Sequence, residues 1–91
     1  MNQETDINQE RIVRDPAILV GKPVIRGTRI PVDLVLAYLA RNPSFQDLFA
    51  DYPRLTIADV QACFAYARAL VEREERRKAA ADTRRLRRKA I

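Results

Sequence analysis

The 91-residue sequence predicts a small, mainly helical domain with a short β unit at its start and a basic helical tail at its end. Apolar residues recur at helical spacing in three segments after residue 31. β-branched residues and turn signals dominate the preceding stretch. Residues 72–91 hold nine basic and four acidic residues, so they carry +5, which is the net charge of the whole chain. We expect a flexible arm (1–10), a domain (11–71) and a basic helical extension (72–91).

The segment GKPVIRGTRIPV, residues 21–32, contains both glycines of the chain and invites comparison with phosphate-binding loops. A Walker loop ends in Gly-Lys-Ser/Thr, whereas here Gly21-Lys22 comes first, and a dinucleotide loop needs three glycines. We therefore interpret the segment as a structural bend that leads into a helix. The expected elements are strands near 11–14 and 24–26, a bend at Gly27, and Pro31 in the first helical turn.

The first helix is predicted over Val32–Arg41, with Val32, Val35, Leu36 and Leu39 on its apolar face. Asn42-Pro43 ends it. Two later helices begin at capping-box-like pairs, in which Ser44 precedes Asp47 and Thr56 precedes Asp59 by three residues. The buried face of the second helix is predicted to comprise Phe45, Leu48 and Phe49.

The third helix carries an apolar stripe that we expect to face the core, with Phe64 at its centre against Val35, Leu39 and Phe49. Cys63 is expected to be a small core residue at its flank. We expect this helix to continue to about residue 80, to fray near Asp82-Thr83 and to be followed by a short helix over residues 84–89. The stripe comprises Ile57, Val60, Phe64, Ala67 and Val71.

The composition argues against an enzyme. The chain has no histidine and one cysteine, so it lacks a Ser-His or Cys-His pair, a disulfide and a cysteine-based zinc site. We expect no cofactor and no metal. No apolar run approaches the roughly 20 residues that cross a membrane, and the N-terminus does not resemble a signal peptide. We therefore expect a cytoplasmic protein.

Several short motifs between residues 11 and 71 resemble the small bacterial family called domain of unknown function 433, whose members include VapB-type antitoxins. Val20 stands where this family often has a glycine. The resemblance implies a helix-turn-helix, homeodomain-like fold and a partner that is a PIN-like nuclease toxin, a metal-dependent enzyme that cuts RNA. The motifs are Asp15-Pro16, Gly21-Lys22-Pro23, Gly27–Val32, Asp51-Tyr52-Pro53, Leu55-Thr56, Asp59-Val60 and Ala65-Tyr66-Ala67.

In a helix-turn-helix the third helix would be the recognition helix, with its exposed residues facing base edges. Gln61 has the chemistry to hydrogen-bond adenine. Asp59 is better explained as a helix cap than as a DNA contact. Arg26 and Arg29 either contact phosphate or form a solvated edge of the β unit. The candidate DNA-binding residues are Arg54, Gln61, Arg68, Arg26 and Arg29.

The basic tail has three interpretations: a solvated helix end, a nonspecific attraction to nucleic acid, or a cap on the acidic active site of the nuclease. For the third, the candidate residues are Arg84, Arg85, Arg87 and Arg88, because arginine forms two parallel hydrogen bonds with a carboxylate.

The expected function is that of an antitoxin in a type II toxin–antitoxin module, which binds the nuclease and, as a second expectation, its own promoter DNA. The alternative is a stand-alone helix-turn-helix DNA-binding regulator.

We also expect a homodimer. A folded body of this size buries a marginal fraction of its surface. Its short strands would leave unpaired edges. We expect two copies to pair or pack through the β unit around Val24–Arg29.

Overall fold

The computed structural model describes residues 11–90, with side chains for residues 11–84. The predicted flexible arm, residues 1–10, lies outside the described residues. The described chain forms three helices and a two-stranded antiparallel sheet, which confirms a mainly helical domain with a β unit. The elements are β1 (Ile12–Val13), a 3-10 turn (Leu19–Gly21), β2 (Val24–Ile25), α1 (Val32–Arg41), α2 (Phe45–Asp51) and α3 (Ile57–Ala90).

The segment that resembled a phosphate loop contains β2 and the bend that follows it, and residues 14–23 connect the two strands. Ile12 pairs with Ile25 in the antiparallel register. The amide of Ile25 donates to the carbonyl of Ile30 at 3.0 Å, and the Thr28 hydroxyl donates to the carbonyl of Ile25 at 2.7 Å. Gly27 lies between Ile25 and Thr28 and has a φ of +78°, a conformation that favours glycine. The segment is therefore a tight bend held by its own hydrogen bonds, as predicted.

The surface that we expected to pair two copies is already used within the chain. The side chains of Val24 and Ile25 are buried in the protomer's own core. β2 is hydrogen-bonded to β1 on one edge and bridges Pro31 on the other. A dimer built on an unpaired edge of β2 is therefore not supported by the structure.

The short helices begin where their capping signals predict. α1 has the predicted bounds, although Pro31 occupies the N-cap position, one residue before the first turn, with extended backbone angles. The Ser44 hydroxyl accepts the amide of Asp47 at 3.1 Å and caps α2. The side-chain acceptor at the start of α2 satisfies an amide that has no partner within the helix, whereas α1 follows Pro31 without a side-chain cap.

The core lies between the sheet, α1, α2 and the first part of α3. Val32 and Val35 of α1 are buried as predicted, and Leu36 and Leu39 pack against the core. On α2, Leu48 is fully buried, whereas Phe45 remains 43% exposed and the prediction for it was wrong. The buried apolar cluster comprises Ile12, Ile25, Val32, Val35, Leu48, Leu55, Val60, Ala62 and Cys63.

Phe64 is not the centre of the core, and that prediction was wrong. It is 44% exposed, while its neighbour Cys63 is fully buried and Val60 is 1% exposed. The helix turns the small residues Ala62 and Cys63 towards the body, and small residues allow helices to approach closely. The bulky stripe of Ile57, Phe64 and Val71 consequently lies to one side of the contact.

α3 is a single helix of 34 residues, without the break that we predicted near Asp82-Thr83. The Thr83 hydroxyl donates to the carbonyl of Ala79 at 2.9 Å, so its polar group is satisfied inside the helix. All side chains from residue 68 to residue 84 are exposed. We call residues 68–90 the arm. The radius of gyration is 17.0 Å, against about 12 Å for a compact domain of this length, because the arm projects from the body.

The turn before β2 contains a strained backbone that the sequence analysis did not anticipate. Leu19 and Val20 have φ values of 50° and 56°, in the left-handed region, and Gly21 follows at 78°. Left-handed backbone costs an L-residue roughly 1–2 kcal/mol, and a β-branched side chain is among the least suited to it. Val20 is also 95% exposed, so its side chain gains little from packing. The strain at this position is therefore not offset by burial.

We expect Val20→Gly to raise the free energy of unfolding by about 1 kcal/mol, since the relief of strain exceeds the entropy that glycine adds to the unfolded chain. Urea unfolding followed by tyrosine fluorescence measures this. Val20→Ala is the matched control: it retains a Cβ atom and should recover only part of the gain. A glycine variant less stable than the parent would contradict the strained conformation.

Candidate functional site

The start of α3 is fixed by one buried carboxylate. Asp59 is 6% exposed. One oxygen accepts the amide of Thr56 at 3.0 Å, while the Thr56 hydroxyl accepts the amide of Asp59 at 3.2 Å, which completes the predicted capping box. The other oxygen accepts the Arg11 guanidinium at 3.0 Å. Asp59 therefore caps the helix, as expected, and also joins it to the residue that precedes β1.

Arg14, at the other end of β1, also connects this strand to α3. The guanidinium of Arg14 donates to the Tyr66 hydroxyl at 2.6 Å and 3.2 Å. Arg11 and Arg14 flank β1, while Asp59 and Tyr66 are seven residues apart on α3, about two turns of helix. The two contacts together set the position and rotation of α3 against the sheet. Sequence reasoning missed both, since each joins residues about fifty positions apart.

We expect Asp59→Ala to lower the free energy of unfolding by about 3 kcal/mol, because it removes a cap and leaves Arg11 without its buried partner. Urea denaturation measures this loss. Asp47→Ala is the matched control at the equivalent position of α2. Its carboxylate is exposed and contacts only Asn42, so its loss should cost about 0.5 kcal/mol. Equal losses in the two variants would disprove the special role of Asp59.

The candidate DNA-binding residues of α3 are exposed, but their surroundings are apolar. Gln61 and Arg68 are seven residues apart and share one face of the helix. Ile57 and Phe64 lie on the same face and are 49% and 44% exposed. Arg68 forms an ion pair with Glu72 at 3.3 Å. This face therefore offers an apolar surface with polar edges rather than a row of phosphate contacts.

The remaining DNA candidates lie in the β unit and in the turn before α3. The amide of Arg26 donates to the carbonyl of Arg11, whose side chain reaches Asp59 near the start of the helix. Arg29 is exposed in the bend after β2. Arg54 is exposed in the turn that precedes α3, close to the positive end of the helix dipole.

The arm gathers four of its arginines on one side, which we call the basic face. At about 100° per residue, Arg73, Arg76, Arg77 and Arg84 fall within an arc of about 100°. Glu75, Asp82 and Lys78 lie on the opposite side of the helix. Glu72 lies about 40° from Arg76, and Glu74 pairs with Arg77 in its own helix.

The arm includes the residues that we expected to bind the nuclease. Arg84 is exposed on the basic face. Arg85, Arg87 and Arg88 lie within the same helix, and their side chains are outside the described residues. A basic face on a projecting helix can contact an acidic surface without rearrangement of the body.

Two neutral side chains of the body resist ionisation. Burial raises the pKa of the Cys63 thiol from 9.0 to about 11. The Tyr38 hydroxyl donates to the Asp51 carboxylate at 2.7 Å, and this hydrogen bond raises the Tyr38 pKa from 10.0 to about 12. In both cases the folded state favours the protonated form. Cys63 is thus a core residue, as predicted, and not a reactive thiol.

The raised pKa of Cys63 predicts a loss of stability in alkali. The folded state holds this proton more tightly than the unfolded state, so the stabilisation is fully present below pH 9 and is lost as the pH rises to 11. We expect the urea midpoint to fall across this window and the thiol to resist iodoacetamide in the native protein. Cys63→Ala should remove the decline that begins at pH 9 and leave the part due to Tyr38, between pH 10 and 12. Rapid alkylation of the native protein at pH 8 would contradict burial.

The described residues form a small helical domain with a two-stranded β unit and a projecting helix that carries a basic face. The sequence matches the family described as protein of unknown function (DUF433) over residues 12–67, and the chain belongs to this family. A crystal structure of a DUF433 member from Anabaena variabilis superimposes with a TM-score of 0.64 at 32% identity. The match covers 85% of this chain and 76% of that one.

Two further relatives are similar in sequence. The uncharacterized protein y4eO of Sinorhizobium fredii is 36% identical over 69 residues, which cover 76% of this chain and 31% of that protein. The chain therefore spans less than a third of that relative's length. An uncharacterized protein of Archaeoglobus fulgidus is 71% identical over 24 residues, which are 26% of this chain and 67% of that protein.

The described residues were also searched for membrane-spanning helices and for metal-binding groups of side chains. Between residues 11 and 90, no helix is both long and apolar enough to span a membrane. In the same part of the chain, no three His, Cys, Asp or Glu side chains are grouped in a way that could hold a metal ion.

Proposed function

We propose that this protein is the antitoxin of a type II toxin–antitoxin module and that its arm neutralises a PIN-like nuclease. The observation that carries the proposal is the projecting helix, whose described side chains from residue 68 to residue 84 are all exposed. A helix of this length is not needed to bury the core, since the last buried residue of α3 is Cys63. The positive charge of residues 72–91 adds an electrostatic reason for an acidic partner.

The chemistry of neutralisation follows from the arginines. PIN-like nucleases, the partner that the family resemblance implies, hold metal ions with a cluster of carboxylates. A guanidinium binds a carboxylate through two parallel hydrogen bonds and remains charged at all physiological pH values. Arg84 and the arginines at 85, 87 and 88 would bind these carboxylates and keep substrate phosphate and metal out of the site.

The alternative function is a stand-alone regulator in which α2, the turn at residues 52–56 and α3 form a helix-turn-helix. The position of Arg54 just before the start of α3 favours it. The apolar residues Ile57 and Phe64, which share a face of α3 with Gln61 and Arg68, argue against α3 as a base-reading helix, since base edges are read mainly by hydrogen-bonding side chains. We therefore place promoter binding second, as a property of the antitoxin or of its complex with the nuclease.

We expect a chain truncated after Ala80 to keep its fold and lose inhibition of the nuclease encoded by the neighbouring gene. The body ends well before this point, so its thermal midpoint should stay within about 2 °C of the parent. Loss of several arginine–carboxylate contacts should weaken inhibition by at least 100-fold. The measurement is cleavage of an RNA substrate at increasing concentrations of each protein. Full inhibition by the truncated chain would exclude the arm.

Replacing Arg84, Arg85, Arg87 and Arg88 with lysine separates carboxylate recognition from simple attraction to nucleic acid. The charge is kept and the planar guanidinium is lost, so nuclease inhibition should fall by about 10-fold or more. Nonspecific DNA affinity, measured at two salt concentrations, should hardly change, because phosphate attraction depends mainly on charge. If DNA binding falls and inhibition does not, the alternative function is favoured.

A further inference from the structure

An apolar stripe on the surface of α3 has no role in the core. Its three members, Ile57, Phe64 and Val71, are 49%, 44% and 60% exposed. They follow one another at intervals of seven residues, so they lie along one side of the helix over about 21 Å. We call these three residues the α3 stripe. Exposed apolar residues in a continuous row typically mark an interaction surface.

We propose that the α3 stripe pairs with the same stripe of a second copy of this chain, with the two helices antiparallel across a two-fold axis at Phe64. In this arrangement Phe64 meets the Phe64 of the second copy. Ile57 meets Val71 of the second copy, because both lie seven residues from the axis. The spacing of the stripe is therefore complementary to itself, as an isologous interface requires.

The charges on α3 select the antiparallel orientation. A parallel pair would place the two arms side by side, and residues 72–91 carry +5 in each copy. Like charges at short distance repel, so this orientation is unfavourable. The antiparallel pair places the arms at opposite ends, where they remain exposed.

The antiparallel register also brings opposite charges together. α3 begins seven residues before the axis, and Arg54 lies in the turn that precedes it; Glu74 and Glu75 lie ten and eleven residues after the axis, so they extend past the start of α3 in the second copy. Arg54 and the positive end of the α3 dipole would therefore face acidic residues of the second copy. Glu75 lies within about 20° of the stripe direction around the helix, so it is the better placed of the two.

This surface replaces the β unit as the expected dimer contact, because the side chains of Val24 and Ile25 are already buried within the protomer. It is also independent of the proposed function, since the full chain can be tested with neither nuclease nor DNA present. A dimer through α3 leaves both basic faces of the arms accessible.

Sedimentation equilibrium of the full chain tests the proposal. We expect a mass twice that of the monomer at tens of micromolar. Phe64→Glu should raise the dimer dissociation constant by at least 100-fold, because two carboxylates would face each other at the axis. Phe45→Glu is the matched control, since Phe45 is 43% exposed on α2 and lies outside the stripe. It should leave the mass unchanged. Thermal melts of both variants verify that each is folded.

Cysteine cross-linking tests the orientation. We expect an oxidised mixture of Ile57→Cys and Val71→Cys chains to give a disulfide-linked pair, and neither variant alone to do so. In the antiparallel pair, two copies of residue 57 are about 21 Å apart along the axis, beyond the reach of a disulfide. The buried Cys63 thiol should not interfere. Cross-linking of Ile57→Cys alone would indicate a parallel pair and overturn the proposal.

Charge reversal provides a third readout. Arg54→Glu and Glu75→Arg should each weaken the dimer several-fold, and the two together should restore it.

A folded monomer at tens of micromolar would overturn the proposal. So would a monomer whose Phe64→Glu variant loses nuclease inhibition, since that result would assign the stripe to the nuclease.

Discussion

The contact between Asp59 and Arg11 is the constraint on which the rest of the structure depends. The same carboxylate caps α3 and binds the β unit, so the start of the helix and its rotation are set together. Rotation matters because a helix with apolar residues on more than one side can be buried in more than one way. With Asp59 turned inward, Val60 and Cys63 enter the core, and Ile57 and Phe64 are left at the surface.

This division gives α3 three distinct parts. The inward face of its first half completes the core, the α3 stripe runs along one side, and the arm continues beyond the body with its basic face exposed. A single helix thus stabilises the domain and presents two surfaces of different chemistry, one apolar and one cationic. Residues 1–71 carry no net charge, so the net positive charge of the chain is concentrated in the last twenty residues.

Much of the fold could be predicted because its signals are local. Ser44 and Thr56 cap helices that begin where predicted, and Gly27 forms the predicted bend. The orientation of Phe64 could not be predicted, because it depends on Arg11, 48 residues before Asp59, and on the close packing that Ala62 and Cys63 allow. The heptad spacing of Ile57, Phe64 and Val71 was visible, but periodicity does not show which of two apolar faces is buried.

The candidate site shows the same limit. The basic residues of the tail were identified from composition alone, whereas the shared face of Arg73, Arg76, Arg77 and Arg84 required an uninterrupted helix. The predicted break at Asp82-Thr83 did not occur, since the Thr83 hydroxyl bonds to the helix backbone itself. In the sequence, only the glycine that the family often has at this position pointed to the strain at Val20. The left-handed backbone angles themselves could be seen only in the structure.

The projecting arm also separates helical content from cooperative stability. More than half of α3 lies outside the core, held by its own hydrogen bonds and by side-chain pairs such as Arg68–Glu72. Such a segment opens and closes without disturbing the packed residues, so its melting is gradual and local. A far-ultraviolet signal would therefore combine the arm, with 23 of the 51 residues in the three helices, and the body, while tyrosine signals would follow the body alone. The folded protein thus comprises one cooperative unit and one segment governed by a simple helix–coil equilibrium.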